Sequence, residues 1–481
     1  MGKKKNKNKV SGAVKTAAKT EKKLANKLKK ELANLGEEDI AKIISQIEKE
    51  EAKRAAASEK VLTTHPTARA YASLTPHPIN NELILFDFYL CTKIKNGQKT
   101  PGAPPPRSAH QAIATSANKG ELWVFGGEFT SPTETQFHHY KDLWCFSLAE
   151  KKWEKVVAPN GPSPRSGHRM VQLGRKLFIF GGYCDDGREC RYFDDLYTFC
   201  LDTRTWEKVV PAGRGPTPRS ACIMLPIGND SLLIYGGFSR VRDGRSERTC
   251  THADMFRLCA RAGGWSWRAL AGGRGARAGL AAAHNPHANR AYVFGGVADV
   301  EETDEELVGE MSDELQVLDL ETCRWRPLEL RAPAAKPAPE TETKSAPEPE
   351  SVKEEAVTVV TDEVFTMKLG GTPAGGQAGG HSGVPDAGGP AARAVGGPGA
   401  RMSAMLCVQR SALYVYGGVL EKDDKQFYLT DMYSLDLHKL NEWKTIISQP
   451  ALPDWLGSDS ESGSEESGES DSESDDSEES D

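Results

Sequence analysis

Five times in this chain an apolar, strand-like run ends in two adjacent glycines: ELWVFGG closing at Gly127, KLFIFGG at Gly182, LLIYGG at Gly237, AYVFGG at Gly296 and ALYVYGG at Gly418. The first four closing glycines recur at intervals of about 55 to 59 residues. A period of that length marks an array of supersecondary units, each needing its neighbours to cover its apolar face.

Each copy carries more than the glycines. Upstream stands an arginine followed by small residues: RSAHQ from Arg107, RSGHR from Arg165, RSACI from Arg219, ARAGL around Arg277 and ARMSAM around Arg401. Downstream comes an apolar run and then a tryptophan: DLWCFSL with Trp153, DLYTFCLD with Trp206, DMFRLC with Trp267, ELQVLDL with Trp325 and DMYSLDL with Trp443. Each unit therefore reads as four short strands. Glycine lacks Cβ, so it tolerates positive φ and lets another backbone come close where the chain turns at the end of the second strand. Tryptophan offers a broad flat surface for packing between sheets. Gly126, Gly127, Gly181, Gly182, Gly236, Gly237, Gly295, Gly296, Gly417 and Gly418, with the five tryptophans, are read as architecture.

The arginine, diglycine and tryptophan layout resembles the kelch-repeat family. The resemblance implies an all-β fold, a six-bladed kelch β-propeller of four-stranded antiparallel blades around a central channel. Two departures stand out. The first unit opens at Arg69 and runs through ELILF, but Asp87 and Phe88 replace the diglycine, and the next unit opens at Arg107. One or two strands are missing, so the first blade is expected to be incomplete, and the ring to be weakest between blades one and six with an edge open to pairing. The second departure is a Pro-, Ala-, Glu- and Gly-rich stretch between the fourth and fifth diglycine units, that is between blades five and six, whose composition is expected to leave it disordered. The expected organisation is a Lys-rich leader with short amphipathic helices over 1–60, blades one to five over 61–330, the disordered insert over 331–400, blade six over 401–450 and a disordered acidic Ser/Asp/Glu tail over 451–481. In the leader, Leu24, Leu28, Leu32 and Leu35 form one helical stripe and Ile40, Ile43, Ile44 and Ile47 a second.

The net charge of -7 conceals two opposite ends: residues 1–30 hold 12 lysines and one glutamate, and residues 458–481 hold 12 acids and no base. No apolar run of membrane-spanning length occurs and the N-terminus has no signal-peptide core, so a nuclear or cytoplasmic location without membrane attachment is expected. The ten cysteines contain no C-x-x-C pair and are expected to be buried thiols. The leader reads as a nuclear address, a contact for RNA phosphates or a solubilising arm. The tail reads as a capture segment for a basic protein, open to added phosphate on Ser458, Ser462, Ser470 and Ser472, or as a solvated end.

In a four-stranded meander the second-to-third strand loops emerge on one face with the links between blades, a usual place for recognition. On that face Arg240, Arg242, Arg245 and Arg248 make the blade-four loop basic, and Glu301, Glu302, Asp304, Glu305 and Glu306 make the blade-five loop acidic. The choice is between plain solvated surface and a bipolar docking face for a charged segment. No enzyme signature appears: His110 and His168 occupy equal positions of successive units, and His138 with His139 form the one adjacent pair, in a loop expected to be exposed. No metal set and no phosphate-cradling loop is found, so no cofactor is expected. The expectation is a non-enzymatic scaffold for protein partners. The alternatives are a substrate receptor of a ubiquitin ligase, for which no ligase-binding module is visible, and a nuclear or nucleolar factor binding basic proteins or RNA through its charged ends.

Overall fold

The computed structural model describes residues 39–53, 64–86, 102–331 apart from 132–135, 188, 244–245, 272–274 and 304–305, then 365–368, and 396–452 apart from 423–424. The Leu24 to Leu35 stripe, residues 1–38 and the acidic end lie outside the described residues.

Five four-stranded antiparallel sheets form, each with its strands in simple sequence order. Blade two runs Gln111–Thr115, Glu121–Phe125, Leu143–Ser147, Lys152–Val156, and blade three Arg169–Leu173, Lys176–Phe180, Leu196–Cys200, Thr205–Val209. Blades four, five and six open with Ile223–Ile227, Ala281–Asn285 and Met405–Gln409 and repeat the pattern. The second strand of each blade is apolar on both faces, because it sits mid-sheet between two neighbouring blades. The first strands of successive sheets pack against one another, and that of blade six returns to Ser73–Pro76, closing the ring. A central space of about 680 Å³ is lined by these first strands.

Blade number is where expectation and structure part. Among the described residues five blades are complete four-stranded sheets, against the expected six-bladed ring with an incomplete first blade. The sixth place in the ring is held by a three-stranded sheet: Ser73–Pro76, Glu82–Phe86, and a strand from the insert, Phe365–Lys368, in antiparallel register with Leu85 opposite Phe365 and Glu82 opposite Lys368. The insert expected to be disordered throughout therefore contributes a strand, and the remainder of it lies outside the described residues.

At Gly127, Gly182, Gly296 and Gly418 the diglycine stitches its blade to the next through three backbone bonds, and at Gly237 His252 N–H donates to Gly237 O (2.8 Å). Gly182 N–H donates to Arg219 O (2.9 Å), Phe193 N–H to Gly182 O (2.9 Å) and Arg219 N–H to Phe193 O (3.0 Å). The same triplet joins Gly127, Tyr140 and Arg165, and Gly418, Leu429 and Arg69, so the seam expected to be weakest carries the full relay. Both glycines of every pair have positive φ, from +58° to +111°. A Cβ on Gly182 would lie 2.7 Å from Ser166 O and 2.8 Å from His168 Cβ, so the bare backbone is required there.

The outer tryptophans fill the same seams. Trp153 packs on Phe86, Trp206 on Phe125, Trp267 on Phe180 and Trp325 on Tyr235, each an aromatic from the second strand of the preceding sheet at ring distances of 4.9 to 5.9 Å. Trp443 joins the cluster that contains Phe294 and Val415. Gly161, Gly215 and Gly397, each four residues before an opening arginine, lie flat on the indoles of Trp206, Trp267 and Trp443.

Candidate partner-binding face

Four of the opening arginines are among the most buried charges of the described residues. Arg107, Arg165 and Arg219 are fully enclosed, and Arg401 nearly so. Each meets, bidentately, the acid that begins its blade's third run: Asp142, Asp195, Asp254 and Asp431. The same guanidinium donates to the carbonyl of the first glycine of the pair, Gly126, Gly181, Gly236 or Gly417, at 3.0 to 3.1 Å. Blade five has glutamate in place of aspartate. Its longer arm leaves Arg277 and Glu314 half-buried with a 3.5 Å contact. Burial pushes the Asp142 and Asp254 carboxyls up, but their arginines more than offset it and hold both below the usual carboxylate range. These clasps anchor the roots of everything that rises on the diglycine side.

What rises there is more ordered than loops. Each second-to-third strand connection is a two-stranded β-hairpin: Glu128–Thr130 with Phe137–His139, Tyr183–Asp185 with Cys190–Tyr192, Phe238–Asp243 with Ser246–Thr251, Val297–Thr303 with Glu306–Met311, and Val419–Lys422 with Lys425–Tyr428. Neighbouring hairpins touch. Tyr192 lies edge-on to Phe238 at 6.3 Å, and Glu421 N–H points at Met311 Sδ at 3.4 Å.

The hairpin register decides where the charged residues go. In blade four Arg240 faces Thr249, Arg242 faces Glu247 and Val241 faces Arg248. Successive strand positions alternate between faces, so positions 240 and 242 share one face of the ribbon and 248 takes the other. Arg240 and Arg248 are exposed, and Arg245 lies outside the described residues. The four arginines thus belong to one projecting ribbon without sharing one side of it. In blade five Glu301 pairs with Leu307 and Thr303 with Glu306, with a register shift that takes in Glu302, while Asp304 and Glu305 lie outside the described residues.

Between the hairpins of blades two and three sits a polar network that sequence reasoning missed. Asp185 N–H donates to His139 Nε2 (3.0 Å), which leaves the ring proton on Nδ1, facing Ser166 Oγ at 2.7 Å. Tyr183 O–H donates to the Glu128 carboxylate at 3.0 Å. Burial lowers the His139 pKa to about 4 and raises that of Glu128, although Tyr183 and Ser166 both stabilise its charge. His139, expected on an exposed loop, is buried and neutral. Its recognition needed the hairpin register, which the sequence spacing does not display. His110 and His168 are also buried and neutral, with ring edges against Phe86 and Phe125. They occupy the place of Cys222, Leu280 and Ala404 in later blades, filling the space the second glycine leaves.

A further element lies on this face. Helix α1, Ile40–Lys53, sets Ile44 against Phe129 and Tyr140 of blade two, with Ile40, Ile43 and Ile47 alongside, and Ile40 N–H donates to Gln136 Oε1 (3.1 Å). The second isoleucine stripe of the leader is this docked surface. Of the nine described cysteines, Cys145, Cys222 and Cys407 are buried, and Cys250, in the basic hairpin, is exposed. Among the described residues no group of three His, Cys, Asp or Glu side chains is placed to hold a metal ion, and no helix is long and apolar enough to cross a membrane.

Residues 73–296 match the family model described as the KLHDC2/KLHL20/DRC7 Kelch-repeats domain. Kelch domain-containing protein 3 of Homo sapiens is 31% identical over 147 residues, which are 29% of this chain and 36% of that protein. Acyl-CoA-binding domain-containing protein 5 of Arabidopsis thaliana is 32% identical over 157 residues, 32% of this chain and 22% of the relative. Dynein alpha chain, flagellar outer arm, of Chlamydomonas reinhardtii is 34% identical over 147 residues, 28% of this chain and 3% of the relative. The chain thus spans little more than a third, at most, of the length of these curated relatives. The solved structure of YjhT superposes with a TM-score of 0.46 at 14% identity, covering 80% of this chain and 99% of the other.

Proposed function

This chain belongs to the kelch-repeat family, and on that premise we propose that it is a non-enzymatic scaffold that binds protein partners on its hairpin-bearing face. The observation that carries the reading is the contrast between root and tip. Buried arginine clasps and backbone bonds at the diglycines, Arg219 with Asp254 and His252 N–H to Gly237 O in blade four, fix the hairpins at their base, while Arg240 and Arg248 lie exposed on the blade-four ribbon. A rigid base with a charged, protruding ribbon loses little order on binding, and its charge selects a partner of opposite sign. The acidic sequence of the blade-five hairpin makes the face bipolar, suited to a partner segment with both charges. The lysine-rich and acidic ends add electrostatic capture of RNA or of basic proteins and direct a nuclear or cytoplasmic location.

Replacing Arg240, Arg242, Arg245 and Arg248 together with serine tests the reading. Partner recovery in affinity capture is expected to fall about tenfold or more, the effect of losing a few charge contacts, with no change in melting temperature. Equal recovery from both proteins would remove the blade-four ribbon from the binding face.

A further inference from the structure

Sheet one poses a problem of supply. Glu82–Phe86 is buried along its whole length, with Leu83, Ile84, Leu85 and Phe86 at 0 to 3% exposure, and its side chains join the cores of both flanking blades. A strand so placed requires a hydrogen-bonded neighbour on each edge. One neighbour is Ser73–Pro76; the other is Phe365–Lys368, from nearly three hundred residues downstream.

The sequence of the donor fits the task. Within an insert dominated by Pro, Gly, Ala and Glu, residues 356–369 read AVTVVTDEVFTMKL, rich in β-branched residues and free of proline and glycine. The register sets Lys368 opposite Glu82 and Phe365 opposite Leu85. Roughly thirty residues on either side, 332–364 and 369–395, tie this strand to blades five and six. At about 3.3 Å per residue such connections reach across the ring.

We propose that the Glu82–Phe86 edge is a strand-acceptor site, that its resident ligand is the insert segment centred on Phe365–Lys368 of the same chain, and that the segment is separable from it. Recognition is by main-chain hydrogen bonding along an open sheet edge, with side-chain alternation setting the register. Tethering makes the bound segment an intramolecular ligand, whose effective concentration exceeds that of any free competitor at micromolar levels. The insert thereby supplies the edge that the shortened first unit lacks.

Hydrogen exchange on the full chain tests this. In the variant Thr366→Pro with Met367→Pro, the amides of Leu83 and Leu85, which alternate toward the insert strand opposite Met367 and Phe365, are expected to exchange at least about tenfold faster, as a strand does when it loses a ladder partner. Unchanged protection overturns the proposal and assigns the edge to another occupant, such as FYLCTKI at 88–94. A second arm uses the full chain lacking residues 351–370 and a synthetic peptide of residues 356–370. One-to-one binding that restores protection at Leu83 and Leu85 supports the site, provided a scrambled peptide does neither. Failure to bind folded protein overturns it. If the deletion prevents folding, the proline variant decides alone. A dimer exchanging the segment between copies overturns the same-chain assignment.

Discussion

Replacing Arg401 with methionine isolates the contribution of one clasp. The guanidinium gives two bonds to Asp431 (2.5 and 2.8 Å), one to Gly417 O (3.1 Å) and one to Gly399 O (2.9 Å). Both charged side chains are only 3% exposed, and no second cation pairs with Asp431 among the described residues. Methionine keeps most of the stem volume, so packing survives and the loss is electrostatic. Stranding a buried carboxylate costs about 3–5 kcal/mol. The urea midpoint should fall accordingly at constant slope, and the melting temperature by roughly 5–10 °C for a unit of this size. Two companion variants sharpen the reasoning. Arg277→Met breaks the half-exposed Glu314 pair and should cost about 1 kcal/mol or less. Arg401→Met with Asp431→Leu leaves no charge behind and should recover at least about half of the single-variant loss, since removing both partners of a buried pair is often nearly neutral. Equal losses at Arg401 and Arg277, or a double variant no better than the single one, would refute the claim that burial of the pair sets its energetic weight.

Two more outcomes follow from the geometry. Burial lowers the His110 pKa to about 3 and that of His168 well below its ordinary value. A histidine depressed in the folded state contributes stability that is whole above its unfolded pKa of about 6.5 and is lost as pH falls toward the folded value, at about 1.4 kcal/mol per pH unit. Thermal scans should therefore show destabilisation already between pH 6.5 and 5, above the carboxylate range, and His168→Leu should reduce that slope; a flat profile there would contradict the neutral assignment. For the leader, Ile44→Asp places a charge against Phe129 and Tyr140 and should release helix α1, seen as faster amide exchange over 40–49 with little change in the melting temperature of the blades.

Much of this architecture was legible because its determinants are local and repeat. The diglycines, the tryptophans and the four-run units follow from backbone geometry and from large flat side chains, which recur at the same place in each period. The clasps were half legible: every opening arginine and every following acid was visible in sequence, but pairing them needed the sheet that brings Arg165 to Asp195 across 30 positions. Hairpin order, the burial of His139 and the Glu128–Tyr183 bond depend on register between blades, which no single segment encodes. The insert strand was hidden by averaging, because fourteen β-prone residues vanish inside some seventy dominated by Gly, Pro and Ala. The first unit's shortness was plain, whereas the source of its third strand lay far beyond any local window.

Because Trp153, Trp206, Trp267 and Trp325 each contact an aromatic ring of the sheet before their own, and Trp443 shares a core with Phe294, the ring carries built-in optical gauges at five of its six junctions. A chain retaining a single one of these indoles would report, through its emission wavelength, on water entry at that junction alone. Opening of the propeller under heat or load becomes in this way a spatially addressed event.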